Sequence, residues 1–360
     1  MAIIRFYRNS EASNATRTGS IGRRATMLLF AAGIIAAATY VRLVMADPVR
    51  IRVDWTVMPA QAAPLIPDVP RYGPDVYRHY GRSYIVDPLK LEGGGVTLMA
   101  LAIDETHLST LSPQALVLGI VNAKLDLRVV AQQLSTEVPG YLQTYFWVDK
   151  DKIGTVDDLK GKVIGVSALG SNTDAAAEMV LSRYGLKKTR DYNLVEVGFP
   201  YQLAALKAGK IDAAVLVPPF NLDAEADSTL KPLFSLGDAF GPLETSMWVA
   251  KADFIGKNRS ALVDFLEDNI RMRRWMFDPR TRNDAIRLVA DVGKIPVQKL
   301  GGWVYTNKDY YYDPNAMVDV KRLQKNINDM KSAGIVPAAI DVSRYVDLSL
   351  VTEAAGRVRH

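Results

Sequence analysis

The sequence contains no cysteine and only three histidines in 360 residues. The lack of cysteine excludes disulfide bonds, thiolate zinc sites, cysteine nucleophiles and a lipid-bearing cysteine. The histidines give little support to catalysis, because His360 is the last residue while His79 and His107 fall in ordinary helix and strand patterns. No nucleophile-elbow sequence is present either. We therefore expect a protein without catalytic activity, bound metal or cofactor.

The sequence also lacks an excess of basic residues outside its first segment. Residues 1–46 contain six arginines and a single acidic residue, Glu11, and this imbalance equals the formal net charge of +5 for the whole chain. The other residues carry equal numbers of acidic and basic side chains. A basic stripe that would follow a phosphate backbone is not available, so we expect no nucleic-acid partner.

Residues 1–46 have the order of an export signal. A basic stretch ends at Arg23-Arg24, an uncharged apolar run of 17 residues follows over residues 25–41, and a small-residue pattern precedes Asp47. This order predicts cleavage before Asp47 and a periplasmic location. The apolar run is slightly shorter than the roughly 20 residues that cross a bilayer, and an uncleaved membrane anchor is the alternative. The paired arginines leave a twin-arginine signal open as well.

The remaining chain alternates short β-branched runs with helical patterns, which predicts an α/β fold with mainly parallel sheets. The predicted strands of a first unit are residues 49–53, 84–86, 108–111 and 127–132, and its helices are residues 72–80, 96–103 and 113–122. A second unit opens near Tyr145, with strands over residues 162–167, 194–197 and 212–217 and helices over residues 173–184 and 201–208. Three later helices, over residues 259–277, 282–291 and 314–333, are predicted to pack back on an earlier domain.

Two segments of the chain resemble each other. Residues 206–218 align without a gap on residues 101–113, and in both a helix ends, a short strand follows, and a proline opens the next helix. The proline suits the first position of a helix because its φ angle is already fixed. Two interpretations stay open: any two βα units look alike, or the chain contains two homologous half-domains that face each other.

Hydroxyl-bearing residues follow two predicted strands at the point where a helix begins. After the strand at residues 162–167, Ser171 precedes a helix and stands three residues before Asp174, a spacing that resembles a capping box. Ser112 and Pro113 begin another helix after an earlier strand. Free N–H groups at such helix starts are a ready site for an oxyanion, and open α/β sheets bind ligands at these carboxyl ends. The alternative is that these hydroxyls only cap their own helices.

Several other residues are expected near the same site. Trp55 follows the first strand and offers an apolar face to a ligand, although burial in the core is an equal alternative. Phe220 follows a later strand, and the hydroxyls of residues 245–246 are expected to donate hydrogen bonds. The glycines at residues 93–95 allow a backbone to approach closely. The tyrosines at residues 310–312 are predicted to form a surface patch beside a helix.

At several places the chain resembles the nitrate, sulfonate and taurine class of ABC-transporter solute-binding proteins, which includes relatives of a thiamin-pyrimidine synthesis protein. The matching segments are VRIRVDW at residues 49–55, LSPQAL at residues 111–116, DLKGKVIGV at residues 158–166, LAALKAGKIDAA at residues 203–214 and VAKADF at residues 249–254. The resemblance implies a periplasmic binding protein-like fold of two α/β lobes joined by a two-crossover hinge. The chain departs from it over residues 59–77, where extra prolines border the expected cleft.

The resemblance also implies the lobes, the ligand contacts and the function. Residues 47–143 and 246–360 would form one lobe, and residues 144–245 the other. The implied ligand contacts are Trp55, Ser112, Gln114, Ser167, Asn172, Thr173 and Phe220. The implied function is capture of a small anionic solute, such as a sulfonate, taurine or nitrate, by a monomer that closes around it and delivers it to an ABC-transporter permease. The alternatives are an aromatic carboxylate, a thiamin-pyrimidine-like heterocycle, or an enzyme like the pyrimidine synthase, although that enzyme carries a cysteine-rich motif that this chain lacks.

Overall fold

The first part of the chain and the segment after residue 242 build one sheet. In the computed structural model, which describes residues 47–358, strands β1 (Val49–Trp55) and β2 (Tyr84–Lys90) pair in parallel. Strands β3 (Ser109–Leu111), β10 (Leu243–Lys251) and β4 (Leu127–Thr136) form an antiparallel group. A parallel bridge between Val53 and Leu108 joins the two groups. The order across this first sheet is therefore β2-β1-β3-β10-β4.

The second sheet repeats this arrangement with strands from the middle of the chain. Its order is β7-β6-β8-β5-β9, built from β5 (Tyr145–Asp149), β6 (Val163–Val166), β7 (Asn193–Glu196), β8 (Ala213–Leu216) and β9 (Leu230–Ser235). Strand β6 runs parallel to β7 and β8, whereas β5 runs antiparallel to β8 and β9. The two sheets thus share strand order and direction, and β8 takes the place that β3 has in the first sheet. The two segments that resemble each other in sequence contain these two strands, which favours the interpretation of two half-domains.

Helices cover the faces of both sheets. Along the chain, two helices precede the first strand of the second sheet: α1 (Gly94–Ala102) and α2 (Pro113–Val121). Four helices follow individual strands of the second sheet: α3 (Asn172–Arg183), α4 (Phe199–Lys207), α5 (Phe220–Glu225) and α6 (Leu236–Phe240). The last four are α7 (Ala252–Phe277), α8 (Arg282–Gly293), α9 (Val320–Ser332) and α10 (Ser349–Val358). Helices α7 and α8 share one apolar core with the first sheet, as predicted, and so does α10, which the sequence did not predict. The helix predicted over residues 314–333 is α9, which begins only at Val320 and packs in the other core, against α2 and β10. Among residues 47–358, none of the helices combines the length and the apolar character that crossing a membrane requires.

The α/β class is confirmed, and the sheets are mixed because the strands next to the two connections run antiparallel. The helix predicted over residues 72–80 is wrong. The backbone N–H groups of Arg78, His79 and Tyr80 donate to the carboxylate of Asp268 at 2.9 to 3.0 Å, so they cannot form helical hydrogen bonds. The predicted export signal lies outside the described residues.

Candidate functional site

A cavity of about 130 Å³ lies between the two sheets. Half of its lining residues carry a hydroxyl group, and these come from strands of the first sheet and from loops and helix starts at the strand ends of both sheets. The hydroxyl residues are Thr56, Thr110, Ser112, Thr136, Thr144, Ser167, Ser171, Thr173, Thr245, Ser246 and Tyr310. The apolar remainder includes Val57, Leu134, Phe199, Val217 and Leu236. Such a mixture of hydroxyls and apolar surface suits a small polar organic molecule.

The loop between β6 and α3 forms one wall of the cavity. Ser171 is the N-cap of α3: its Oγ accepts a hydrogen bond from the N–H of Asp174 at 3.4 Å and donates to the Ala168 carbonyl at 2.6 Å. Thr173 Oγ1 accepts from the N–H of Ser167 at 3.0 Å. These bonds hold the loop in place while the first N–H groups of α3 have no partner in their own helix, which makes this wall a hydrogen-bond donor.

The carboxylate of Asp174 stands next to this wall, but its charge is compensated. It accepts a hydrogen bond from the N–H of Gly170 at 2.8 Å and pairs with the ammonium of Lys188 at 3.2 Å. The side chain of Asp174 is buried. Its repulsion of an anion in the cavity is therefore weakened, because an opposite charge lies within direct contact.

Asn172, the first residue of α3, connects the wall to the first sheet. Its Nδ2 donates to the carbonyl of Thr245 in β10 at 2.8 Å. Only 7% of Asn172 is exposed, and its Oδ1 has no hydrogen-bond partner although it is buried. A buried acceptor without a partner costs free energy, so a donor from a bound molecule would stabilise this atom.

Two helices of the first sheet also begin at the cavity. Ser112 caps α2 by accepting from the N–H of Ala115 at 3.1 Å. Helix α1 begins at Gly94, where φ is +55°, and the N–H of Gly95 donates to the carbonyl of Leu169 at 3.4 Å. A Cβ at Gly94 would lie 2.6 Å from that same carbonyl oxygen. The glycine run therefore permits the close approach that its sequence suggested.

The cavity has acidic groups around it and no cationic side chain in its described lining. Glu92 is an exposed residue of the lining. Asp54, which is 1% exposed, accepts hydrogen bonds from the N–H and the hydroxyl of Thr110, and burial raises its pKa to about 6. Glu137 accepts from the N–H of Thr144 at 2.8 Å, and burial raises its pKa to about 7. Any anion in the cavity must therefore be held by N–H and hydroxyl groups.

The sequence of residues 57–290 matches the model of the NMT1-like family. This chain belongs to the NMT1-like family. The resemblance found in the sequence is thereby confirmed at the level of the family. No curated protein matches the chain in sequence.

Solved structures show which fold this NMT1-like protein has. The alkanesulfonate-binding protein SsuA from Xanthomonas axonopodis pv. citri, solved with bound MOPS, has a TM-score of 0.64 and 17% identity, covering 84% of this chain and 100% of that chain. The periplasmic nitrate-binding protein NrtA from Synechocystis PCC 6803 has a TM-score of 0.63 and 14% identity, with 86% and 89% covered. The desulfurization enzyme DszB has a TM-score of 0.57 and 15% identity, with 86% and 99% covered. The periplasmic binding protein fold is confirmed, and it occurs in binding proteins and in an enzyme.

The NMT1-like protein brings four of the seven predicted contact residues to the cavity: Ser112, Ser167, Asn172 and Thr173. The other three lie outside its lining. Trp55 packs on the core of the first sheet with the Lys90 ammonium 5.7 Å from its ring. Gln114 is buried within α2, and Phe220 packs beside the second sheet.

For other residues that line the cavity of the NMT1-like protein, the prediction from the sequence was wrong or absent. Tyr310 was predicted at the surface but is only 4% exposed and lines the cavity, so that prediction is wrong. Phe199 begins α4 directly after Gly198, which is the same strand-to-helix signal that identified Ser112. Thr110 lies inside β3 and gave no local signal. Ser246 donates its hydrogen bond to Gln133 Oε1 at 2.5 Å, away from the cavity.

A cluster of His79, Asp264 and Glu267, none of which lines this cavity, lies between the segment before β2 and helix α7. Arg271 pairs with Glu267 at 2.9 Å, and Arg357 pairs with Asp264 at 2.9 Å. The arginines pair with Glu267 Oε1 and Asp264 Oδ1, whereas His79 faces the other oxygen of each carboxylate, and Arg357 also lies 3.8 Å from Glu267 Oε2. Two positive charges in direct contact with these carboxylates compensate their charge and disfavour a cation. The cluster is therefore an ion-pair network that joins α10 to α7.

Proposed function

We propose that this protein is the periplasmic substrate-binding component of an ABC importer. It captures a small anionic solute, of the sulfonate, taurine or nitrate kind, in the cavity between its two sheets. One lobe consists of residues 47–143 and 246–360, and the other of residues 144–245. The ligand bridges the lobes and stabilises the closed state, because it contacts both of them only in that state. The closed monomer then docks on a membrane permease.

The observation that carries this proposal is the position of the cavity. Its lining combines strand residues of the first sheet with residues that flank the strands of the second, and the starts of α1, α2 and α3 reach it. Two hydrogen bonds beside it already join the two sides. Asn172 Nδ2 donates to the carbonyl of Thr245, which lies at the lobe boundary in strand β10 of the first sheet, and the Gly95 N–H of one lobe donates to the Leu169 carbonyl of the other. An alkanesulfonate-binding protein and a nitrate-binding protein share the fold, and both names denote oxyanion ligands.

The volume of the cavity limits the ligand. An apolar cavity of about 150 Å³ holds a molecule of the size of benzene. The cavity between the two sheets measures about 130 Å³, so a ligand that it encloses fully has about the same size or is slightly smaller. Short-chain sulfonates meet this limit, and so does a single pyrimidine-sized ring.

Binding is favoured over catalysis by the chemistry of the lining. The many hydroxyls in the described lining have neither a histidine nor a lysine among them to act as a base. A serine or threonine without such a base is a weak nucleophile. The fold alone does not decide between binding and catalysis, since DszB shares it.

Isothermal titration calorimetry over a panel of oxyanions tests the proposal. The panel contains short alkanesulfonates, short carboxylates and nitrate. We expect at least one ligand with a dissociation constant of about 1 μM, which corresponds to roughly 8 kcal/mol, together with a smaller radius of gyration in small-angle X-ray scattering. A complete absence of binding across the panel would refute the proposal. Release of sulfite from a sulfonate during the titration would instead support an enzyme.

A further inference from the structure

Thr110 lines the cavity with a hydroxyl whose proton is already donated to another residue. Thr110 lines the cavity, and its Oγ1 donates its only proton to Asp54 Oδ1. The same carboxylate oxygen accepts the N–H of Thr110 at 3.0 Å. A carboxylate can only accept hydrogen bonds, so the direction of this bond is fixed and only the lone pairs of Thr110 Oγ1 remain available.

The Asp54 carboxylate behind Thr110 is buried without a cationic partner. It is 1% exposed, its Oδ2 has no hydrogen-bond partner, and among the described residues no lysine or arginine pairs with it. Burial raises its pKa to about 6, so it is mostly ionised at neutral pH. Glu92, the only charged residue in the described lining, is also acidic. This side of the cavity therefore carries a negative potential and attracts a donor or a cation.

The opposite wall has the reverse polarity in its backbone. There α3, a helix of 12 residues, begins with Asn172 and Thr173, which both line the cavity. The N–H of Asp174 is taken by the Ser171 cap, and the two N–H groups before it have no acceptor within the helix. The buried Oδ1 of Asn172 lies on the same wall and lacks a donor. Its assignment is fixed, because the Nδ2 of the same amide donates to a carbonyl. The cavity thus offers donors for an oxyanion and, separately, acceptors that an oxyanion cannot satisfy.

We infer that the ligand is a bifunctional oxyanion, which carries an ammonium or hydroxyl group in addition to its anionic group, and that Thr110 and Asp54 select it by accepting from that second group. This inference rests on the proposed function. It assigns Thr110 as a contact that determines specificity and Asp54 as the residue that positions it and supplies the charge. A molecule with an oxyanion and a plain alkyl chain would leave the acceptors unsatisfied and bind more weakly.

Paired ligands that differ only in the second group test the inference. Calorimetry compares ethanesulfonate with 2-hydroxyethanesulfonate and 2-aminoethanesulfonate, and propionate with 3-hydroxypropionate and 3-aminopropionate. With the unaltered protein we expect the best substituted ligand to bind at least 10-fold more tightly than its unsubstituted partner. Thr110→Val should reduce this preference to less than 3-fold and leave the affinity for the unsubstituted ligand within 3-fold, whereas Thr110→Ser should keep the preference.

A second variant and a control make the test independent of folding. Asp54→Asn keeps the shape of the side chain and removes its charge, so it should abolish the preference for the amino ligands in particular. Asp87→Asn makes the same change on β2, where the side chain pairs with Arg50 at the surface, and should change nothing. Equal affinities within both series would overturn the inference and leave the proposed function intact. The absence of binding by all six molecules would overturn the inference, and the absence of nitrate binding as well would overturn the proposed function.

Discussion

Asn172 offers a direct test of whether the two halves of the molecule close on a ligand. Its Nδ2 donates to the Thr245 carbonyl across the cavity, and its Oδ1 is a buried acceptor that lacks a partner. We expect Asn172→Ala to weaken ligand binding. It should leave the unfolding midpoint of the ligand-free protein nearly unchanged, because the proposed opening moves α3 away from β10 and breaks the bond to Thr245 before the protein unfolds.

The magnitude follows from the two groups that the substitution removes. One hydrogen bond of this kind contributes about 1 kcal/mol, and the loss of a second bond, from a ligand to Oδ1, adds about the same. The dissociation constant should therefore rise by roughly 5-fold to 30-fold. Alanine is a better helix former than asparagine, so the first turn of α3 should lose nothing in the open protein.

Calorimetry with the tightest oxyanion of the panel and thermal unfolding without ligand give the two measurements. Ser171→Ala is the matched comparison on the neighbouring residue. It removes the N-cap of α3, which costs about 1 kcal/mol of folding stability, and should lower the ligand-free midpoint by about 2 °C. The reasoning about Asn172 fails if Asn172→Ala lowers the ligand-free midpoint as much as Ser171→Ala does, or if its dissociation constant is unchanged.

Two further predictions concern closure and pH. Gly94→Ala should weaken binding by more than 10-fold in calorimetry, because its Cβ would collide with the Leu169 carbonyl, whereas Gly81→Ala, at a similarly positive φ but with open space around it, should not. Thermal unfolding should give a higher midpoint at pH 5 than at pH 7.5. Burial raises the pKa values of four carboxyl groups to between about 6 and about 7, well above their unfolded values. The folded protein therefore gains stability from these groups when they are protonated, and this gain is complete below about pH 4. It is lost as the pH rises through 6 to 7, at roughly 1.4 kcal/mol per pH unit for each group. Among the described histidines, His107 opposes this trend, because burial lowers its pKa and the folded state therefore loses stability as the pH falls. A midpoint that falls on acidification would contradict it. The four carboxyl groups belong to Asp54, Glu137, Glu244 and Asp309.

The parts of the site that the sequence predicts are those with local signals. Ser112, Ser167, Asn172 and Thr173 stand where a strand gives way to a helix, and hydroxyls at a helix start act on N–H groups a few residues away. Their position at the carboxyl end of a sheet follows from the same short segment. Four of the predicted contacts therefore line the cavity.

The parts that the sequence does not predict depend on distant contacts. Tyr310 reaches the cavity because the chain returns past the first sheet after α8, a path that no local pattern encodes. The helix predicted over residues 72–80 fails for the same reason, since Asp268, about 190 residues away, takes its N–H groups. Trp55 is the last residue of β1. Successive side chains of a strand point to opposite faces, so a shift of one residue decides whether the ring faces the cavity or the core.

The duplicated frame gives the cavity two walls with unlike chemistry. Strand β1 holds in the first sheet the place that β6 holds in the second, and the residues that follow each of them line the cavity, Thr56 after β1 and Ser167 after β6. After β6 the chain enters a helix at once and presents N–H donors. In the first sheet the strand itself carries Asp54, which turns the neighbouring Thr110 into an acceptor. A frame that offers N–H donors at its helix starts and, at Thr110 and Asn172 Oδ1, acceptors as well fits a ligand with two different ends better than a ligand with one.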